Sequence, residues 1–212
     1  GAYALNANTT ASQNTANGYG ALYANTTGLR NTANGNSALL SNTTGASNTA
    51  TGYQALYLNT TGASNTANGM YALQTNTTGS NNTAVGYNSL RYNVDTDYNT
   101  AVGVLSLRSS TSGGNNTSVG YESLRYSTSG ATNTAIGGYA LGNITTGSNN
   151  AGIGWDSAAS SATVSNEITL GNTAITTLRC NTQTISSLSD IRDKKDIKEL
   201  QGAEAFIKEL KP

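Results

Sequence analysis

Histidine is absent from this chain, and cysteine, proline, methionine, tryptophan and phenylalanine occur once each. Without imidazole there is no Ser-His-Asp triad, no histidine proton relay and none of the usual zinc sites. Cys180 has no partner for an intrachain disulfide; it reads as a small buried hydrophobe or, alternatively, as an interchain bridge or metal ligand. Charge is scarce too, at 10% of 212 residues, against about 25% in an ordinary globular domain. No run approaches the roughly 18 apolar residues of a membrane span, and no signal peptide is visible. Gly1 already falls inside a repeat, so the chain is expected to start within a longer one. Nothing calls for a cofactor, and lysine plus arginine balance aspartate plus glutamate at eleven each, so no nucleic-acid partner is expected.

Polarity comes instead from Asn, Thr and Ser. Low charge with low hydrophobicity ordinarily means disorder, unless a repeat supplies regular contacts. The repeat is there. Asn14, Asn31, Asn48, Asn65, Asn82, Asn99, Asn116, Asn133 and Asn150 are spaced seventeen residues apart, with Gly four residues after each, from Gly18 to Gly154. Leu recurs in the same register from Leu5 to Leu141. Short Thr, Val and Ile runs between Asn and Gly turn signals fit strands, and a seventeen-residue unit is too short for a helical hairpin. The fold class expected is all-β: a repetitive β-solenoid or β-roll over residues 1–154, one coil per unit with two or three short strands. Stacked coils place like residues above one another, which lets the Asn amides hydrogen-bond along the stack. Gly supplies positive φ at a corner.

Other columns carry more information. The residue before the Gly is Asn17, Asn34, Thr51 and Asn68, then Val85, Val102, Val119, Ile136 and Ile153. So small a coil has little interior, and this drier later seam points to burial between chains, most simply in a parallel homotrimer. The residue after the Gly alternates large and small, from Tyr19 and Asn36 to Gly138 and Trp155. It serves packing or a sugar-stacking surface. Arg91, Arg108 and Arg125 stack like charges in successive coils. They either pair partly with Asp95, Asp97 and Glu122 or form a binding strip for an anionic glycan or lipopolysaccharide phosphate. Asn93–Asp97 lacks the usual calcium-loop pattern, and no metal site is expected. The repeated Asn-Thr-Thr triplets are glycosylation sequons in a eukaryotic secretory pathway and turns otherwise.

The segment Asn82-Thr83-Ala84-Val85-Gly86 resembles the S-V-A-I-G unit of trimeric autotransporter adhesin heads, which are β-rolls with a period near fourteen residues. Ser189-Asp190-Ile191-Arg192-Asp193-Lys194, with Ile197 and Leu200, resembles the S-D-x-R-x-K-x-x-I-x-x-L opening of the intramolecular chaperone domain of phage tail spikes and fibres, the peptidase S74 family. That resemblance implies self-cleavage at Leu188-Ser189, with Ser189 as nucleophile and Lys194 as its activating amine; without it, Ser189 caps a turn and Lys194 sits in a solvated charge cluster. Twelve charged residues crowd 190–212, against Arg30 alone in 1–90. A boundary is therefore expected near Ser189, with Ala203, Phe206, Ile207 and Leu210 at helical spacing in a short C-terminal segment, 189–212. Between the solenoid and that segment, residues 155–188 read as a thin intertwined β stem, the period being lost after Trp155.

Together these readings anticipate a structural fibre or adhesin, on a virion tail fibre or an extracellular surface and not a metabolic enzyme. Its expected partners are two further copies of itself, a host cell-surface glycan or protein, and other virion tail proteins. A bacterial trimeric surface adhesin or extracellular filament subunit is the alternative. A remote third reading, ice binding, requires a flat outward Thr array, and Thr26-Thr27 and its equivalents are expected at turns.

Overall fold

In the computed structural model of the protein, residues 1–177 and Arg179 are described. Gly1–Thr176 forms one compact unit. Its ten three-residue strands run from β1 (Thr15–Asn17), β2 (Thr32–Asn34), β3 (Thr49–Thr51), β4 (Thr66–Asn68) and β5 (Thr83–Val85) through β6 (Thr100–Val102), β7 (Thr117–Val119), β8 (Thr134–Ile136) and β9 (Ala151–Ile153) to β10 (Ile168–Leu170). They form a single parallel sheet in sequence order. Every pairing joins residues seventeen apart, as in Thr32 with Thr49 or Val85 with Val102. The protein is a parallel β-solenoid with one coil per repeat.

Each coil carries one strand where two or three were expected. The reason lies in the backbone. Besides Gly18 to Gly154, whose φ values run from 113° to 149°, each coil holds non-glycine residues in the left-handed region. In one coil these are Gln54 (φ 53°), Leu56 (φ 52°) and Ser64 (φ 58°). A left-handed residue turns the chain too sharply for an extended strand to continue, and at about 1–2 kcal/mol each it is unfavourable for an L-residue. Contacts between coils offset that cost. Leu39 N–H donates to Ala55 C=O at 3.0 Å, Ser41 to Tyr57 at 3.1 Å and Thr43 to Thr60 at 2.9 Å, so the coils stay hydrogen-bonded through the bends as well as through the sheet.

The interior is thin. Ala33, Ala50, Ala67, Ala84, Ala101 and Ala135 point inward from mid-strand, facing the fully buried Leu22 to Leu141 column and a small-residue column of Ala21, Ala38, Ala55, Ala72, Ser89, Ser106, Ser123 and Ala140. The strand position facing Leu holds only small residues, Ala in most coils, Ser118 in β7 and Gly152 in β9.

Two buried asparagine ladders run through this core, the first along its length and the second as far as Asn93, after which Ser110, Ser127 and Ile144 take its column. In the first, the one expected from Asn14 to Asn150, the amide bridges coils by bonding to backbone. Asn48 N–H donates to Asn31 Oδ1 at 2.9 Å, and Asn48 Nδ2 donates to Gly62 C=O at 2.8 Å. The second lies in the Asn-Thr-Thr triplets read above as turns or sequons. Here amide bonds amide: Asn42 Nδ2 to Asn25 Oδ1, Asn59 to Asn42 and Asn76 to Asn59 at 2.8 Å, then Asn93 to Asn76 at 2.7 Å. Asn25, Asn42, Asn59, Asn76 and Asn93 have no solvent-accessible surface.

The solenoid also runs past its expected end. β10 pairs with β9 in the same register, and Glu167 N–H takes the Asn150 Oδ1 that an asparagine would take, at 3.0 Å. Glu167 stands in the Asn column, while Ala158, the sequence equivalent of Leu141, is exposed and lacks the left-handed φ of the Leu column; the corner changes there and the sheet register is kept through Leu170. Most of the remaining stem, with Cys180, the Ser189–Lys194 motif and the anticipated helix, lies outside the described residues.

Candidate functional site

The corner after each strand projects side chains outward, and two of its columns meet the arginine column. Rings from successive coils pack edge to face, except Tyr71 and Tyr87, which are tilted by 59°. Tyr71 lies 5.5 Å from Tyr53 and 6.4 Å from Tyr87, centroid to centroid, and Tyr139 lies 5.2 Å from Tyr121 and 5.0 Å from Trp155. The alternation of large and small residues has a direct cause at the end of the column. A methyl group on Gly138 would come within 2.7 Å of the Trp155 ring, so Trp155 requires glycine in the coil before it. Tyr71 and Tyr139, from the neighbouring column, fill the gaps. The sequence showed the alternation but not these two interposed rings.

The three arginines are not equivalent. Arg125 is paired, its Nη1 standing 2.6 Å from Glu122 Oε2. Partial desolvation pushes the Glu122 carboxyl up, but hydrogen bonds from Arg125 and Tyr121, with the Arg125 charge, outweigh it and hold the carboxyl below its usual range. The same carboxylate accepts from Tyr121 and, aided by desolvation, pushes that phenol up to about 12. Arg125 also sits 5.1 Å over the Tyr126 ring.

Arg91 and Arg108 have only neutral partners among the described residues. Arg91 donates from Nε to Gln74 Oε1 at 2.8 Å and from Nη1 to Asn88 Oδ1 at 3.2 Å. Its guanidinium lies 4.8 Å from the Tyr71 ring and 5.2 Å from the Tyr92 ring. Arg108 lies 5.0 Å from that same Tyr92 ring and donates from Nη2 to Tyr92 Oη at 3.2 Å, while its buried Nε has no partner. The carboxylates expected to neutralise them are elsewhere. Asp97 Oδ1 accepts the Ser80 N–H at 2.6 Å, and Asp95 is exposed. No group of three or more acidic, His or Cys side chains gathers among the described residues.

The sheet face carries a different surface. Along each strand the middle residue turns inward and its neighbours outward, so Thr15, Thr32, Thr49 and Thr66 form an exposed column that the sequence reading passed over in favour of the turn threonines. The turn threonines are committed to the backbone: Thr26, Thr43 and Thr60 hydroxyls donate to the carbonyls of Thr43, Thr60 and Thr77 at 3.0–3.1 Å. Beside it on the same outward face, two residues further along each strand, runs the aliphatic column. Val119 is 37% exposed, Ile136 44%, Ile153 47% and Leu170 50%. Comparison with family models, curated proteins and solved structures finds no match to this chain, so its function is argued from its own residues.

Proposed function

We propose that the chain is the shaft of a homotrimeric attachment fibre of the tail-fibre kind, carried on a virion and presented to a host cell surface. The observation that carries this reading is the outward aliphatic column Val85, Val102, Val119, Ile136, Ile153 and Leu170, in register along six successive strands. A single chain leaves it in water. Three parallel chains meeting on it bury the whole column at about 25 cal/mol per Å² of apolar surface. The core of one coil is too thin to supply that stabilisation alone. The first four coils carry Asn17, Asn34, Thr51 and Asn68 in that column, so association is tightest toward the C-terminal end.

The Ser189–Lys194 resemblance favours the virion over a bacterial surface adhesin. It assigns Ser189 and Lys194 to self-cleavage and the segment beyond them to assembly of the trimer, with other tail proteins as structural partners. Light scattering tests the proposal. The full chain is expected at three times its monomer mass at micromolar concentration. Ile136→Asn with Ile153→Asn, which copies the residue of the early coils, is expected to release folded monomer with unchanged circular dichroism. A wild-type monomer overturns the reading.

One observation favours a second reading. The exposed threonine column, with rows ~4.8 Å apart on a parallel sheet, supports ice binding through a regular hydroxyl array. Thermal hysteresis in a solution of the full chain, lost in Thr32→Tyr with Thr49→Tyr, decides for it.

A further inference from the structure

Two guanidinium groups within 5.2 Å of one ring centroid, with no carboxylate on either, are an unbalanced arrangement. The next coil shows the balanced version, in which Arg125 is answered by Glu122. At the positions equivalent to Glu122, the coils of Arg91 and Arg108 carry Asn88 and Leu105. A guanidinium has five donors. Arg91 uses two of them and Arg108 one, and every acceptor is neutral. The Tyr92 ring and the Gln74 and Asn88 side chains hold the pair in place, so little side-chain entropy remains to be lost on binding. Beside the pair, Tyr53 and Tyr87 are each 42% exposed and packed against Tyr71, the ring that Arg91 covers. Oxyanion donors next to aromatic edges and faces suit a pyranose ring that carries a negative group: the ring packs on tyrosine, and the oxyanion bonds to guanidinium.

We propose that Arg91 and Arg108, steadied by Tyr71 and Tyr92, form a binding site for an acidic saccharide, a sugar bearing a carboxylate or phosphate. Arg125, its charge already satisfied, lies outside the site. This rests on the attachment reading and deepens it by naming the ligand class. The two fail separately, since oligomer mass decides the first and ligand discrimination the second.

The test is calorimetry on the full chain with four probes: an oligogalacturonate, a neutral galacto-oligosaccharide of equal length, a hexose phosphate and inorganic phosphate. The oligogalacturonate is expected to bind at least about ten-fold more tightly than the neutral sugar, as the loss of one charge-assisted hydrogen bond predicts. Hexose phosphate should exceed inorganic phosphate, because only the former has a ring to stack. The two acidic sugars between them say whether carboxylate or phosphate is preferred. Arg91→Gln with Arg108→Gln should remove the preference for acidic sugar, while Arg125→Gln should keep it within about two-fold. Equal affinity for neutral and acidic oligosaccharides overturns the proposal without any variant. So does inorganic phosphate binding as tightly as the better of the two acidic sugars, or a folded double variant that binds as wild type does.

Discussion

A buried amide is stable only with its partners, and the second asparagine ladder makes each residue depend on two neighbours. Asn59 Nδ2 donates to Asn42 Oδ1 and to Gly62 C=O, and Asn59 Oδ1 accepts from Asn76. Asn59→Ala removes all three bonds and strands an acceptor on Asn42 and a donor on Asn76. An expected loss of about 2–4 kcal/mol follows, from one or two unsatisfied buried groups and a small cavity. Urea denaturation checks it, with Thr61→Ala at the exposed neighbour as a control expected within about 0.5 kcal/mol. Tyr121 offers a second residue-scale test. Its phenol, held by the Glu122 carboxylate and by desolvation, is raised from 10.0 to about 12. The folded state therefore keeps a proton that the unfolded state loses, so this contribution to stability is complete below pH 10 and disappears as pH rises to about 12. Alkaline spectrophotometric titration should show a tyrosine transition at about pH 12, and Glu122→Gln should move it down toward 10.0.

At the scale of the coil, the sequence was legible wherever a residue type has only one use. A fixed spacing of Asn and Gly dictated parallel in-register stacking, and Gly at every corner announced positive φ. The strand count was not legible, because the left-handed positions at Gln54, Leu56 and Ser64 carry residues that favour no such conformation. Coil-to-coil hydrogen bonds hold them there, and those are invisible in a single unit. Nor was the last coil, since the sheet register tolerates Glu167 once nine coils lie beneath it. In the arginine column, sequence proximity suggested three carboxylate partners, but only Glu122 shares a corner with its arginine. The glycine column gives the test belonging to this scale. A Cβ on Gly52, at φ 126°, would stand 2.7 Å from the Gly69 carbonyl oxygen and 2.8 Å from its carbon. Gly52→Ala must therefore separate two coils or twist a corner. Its melting temperature should fall by several degrees, as for ~2 kcal/mol in a chain of this size. Ala46→Gly, at a half-buried turn, should cost less than half as much.

At the scale of the whole molecule, the proposed homotrimeric shaft would face an assembly problem. Nine or ten nearly identical coils let neighbouring chains dock one coil out of register at little cost, because a shift of seventeen residues matches most columns again. Two features oppose the slip. The aliphatic column changes from Asn68 to Val85 at a single step, so a shifted trimer places Asn against Val. In the proposed fibre, a C-terminal domain that trimerises first would also set the register from one end, the role that the Ser189–Lys194 resemblance implies. If that pair acts as proposed, an intact protein carrying the complete domain should divide into a shaft ending at Leu188 and a released segment beginning at Ser189. Ser189→Ala should leave the precursor whole, and Lys194→Ala should too, because a neutral serine is too weak a nucleophile without a nearby base. Both variants should still trimerise, since register is set before the bond is cut. Mass spectrometry of assembled wild-type fibre is the measurement. Peptides spanning Leu188-Ser189 would refute cleavage and make the charged segment a permanent clamp, in which case deleting residues 190–212 should yield shafts of mixed register that melt over a broader range than the full chain.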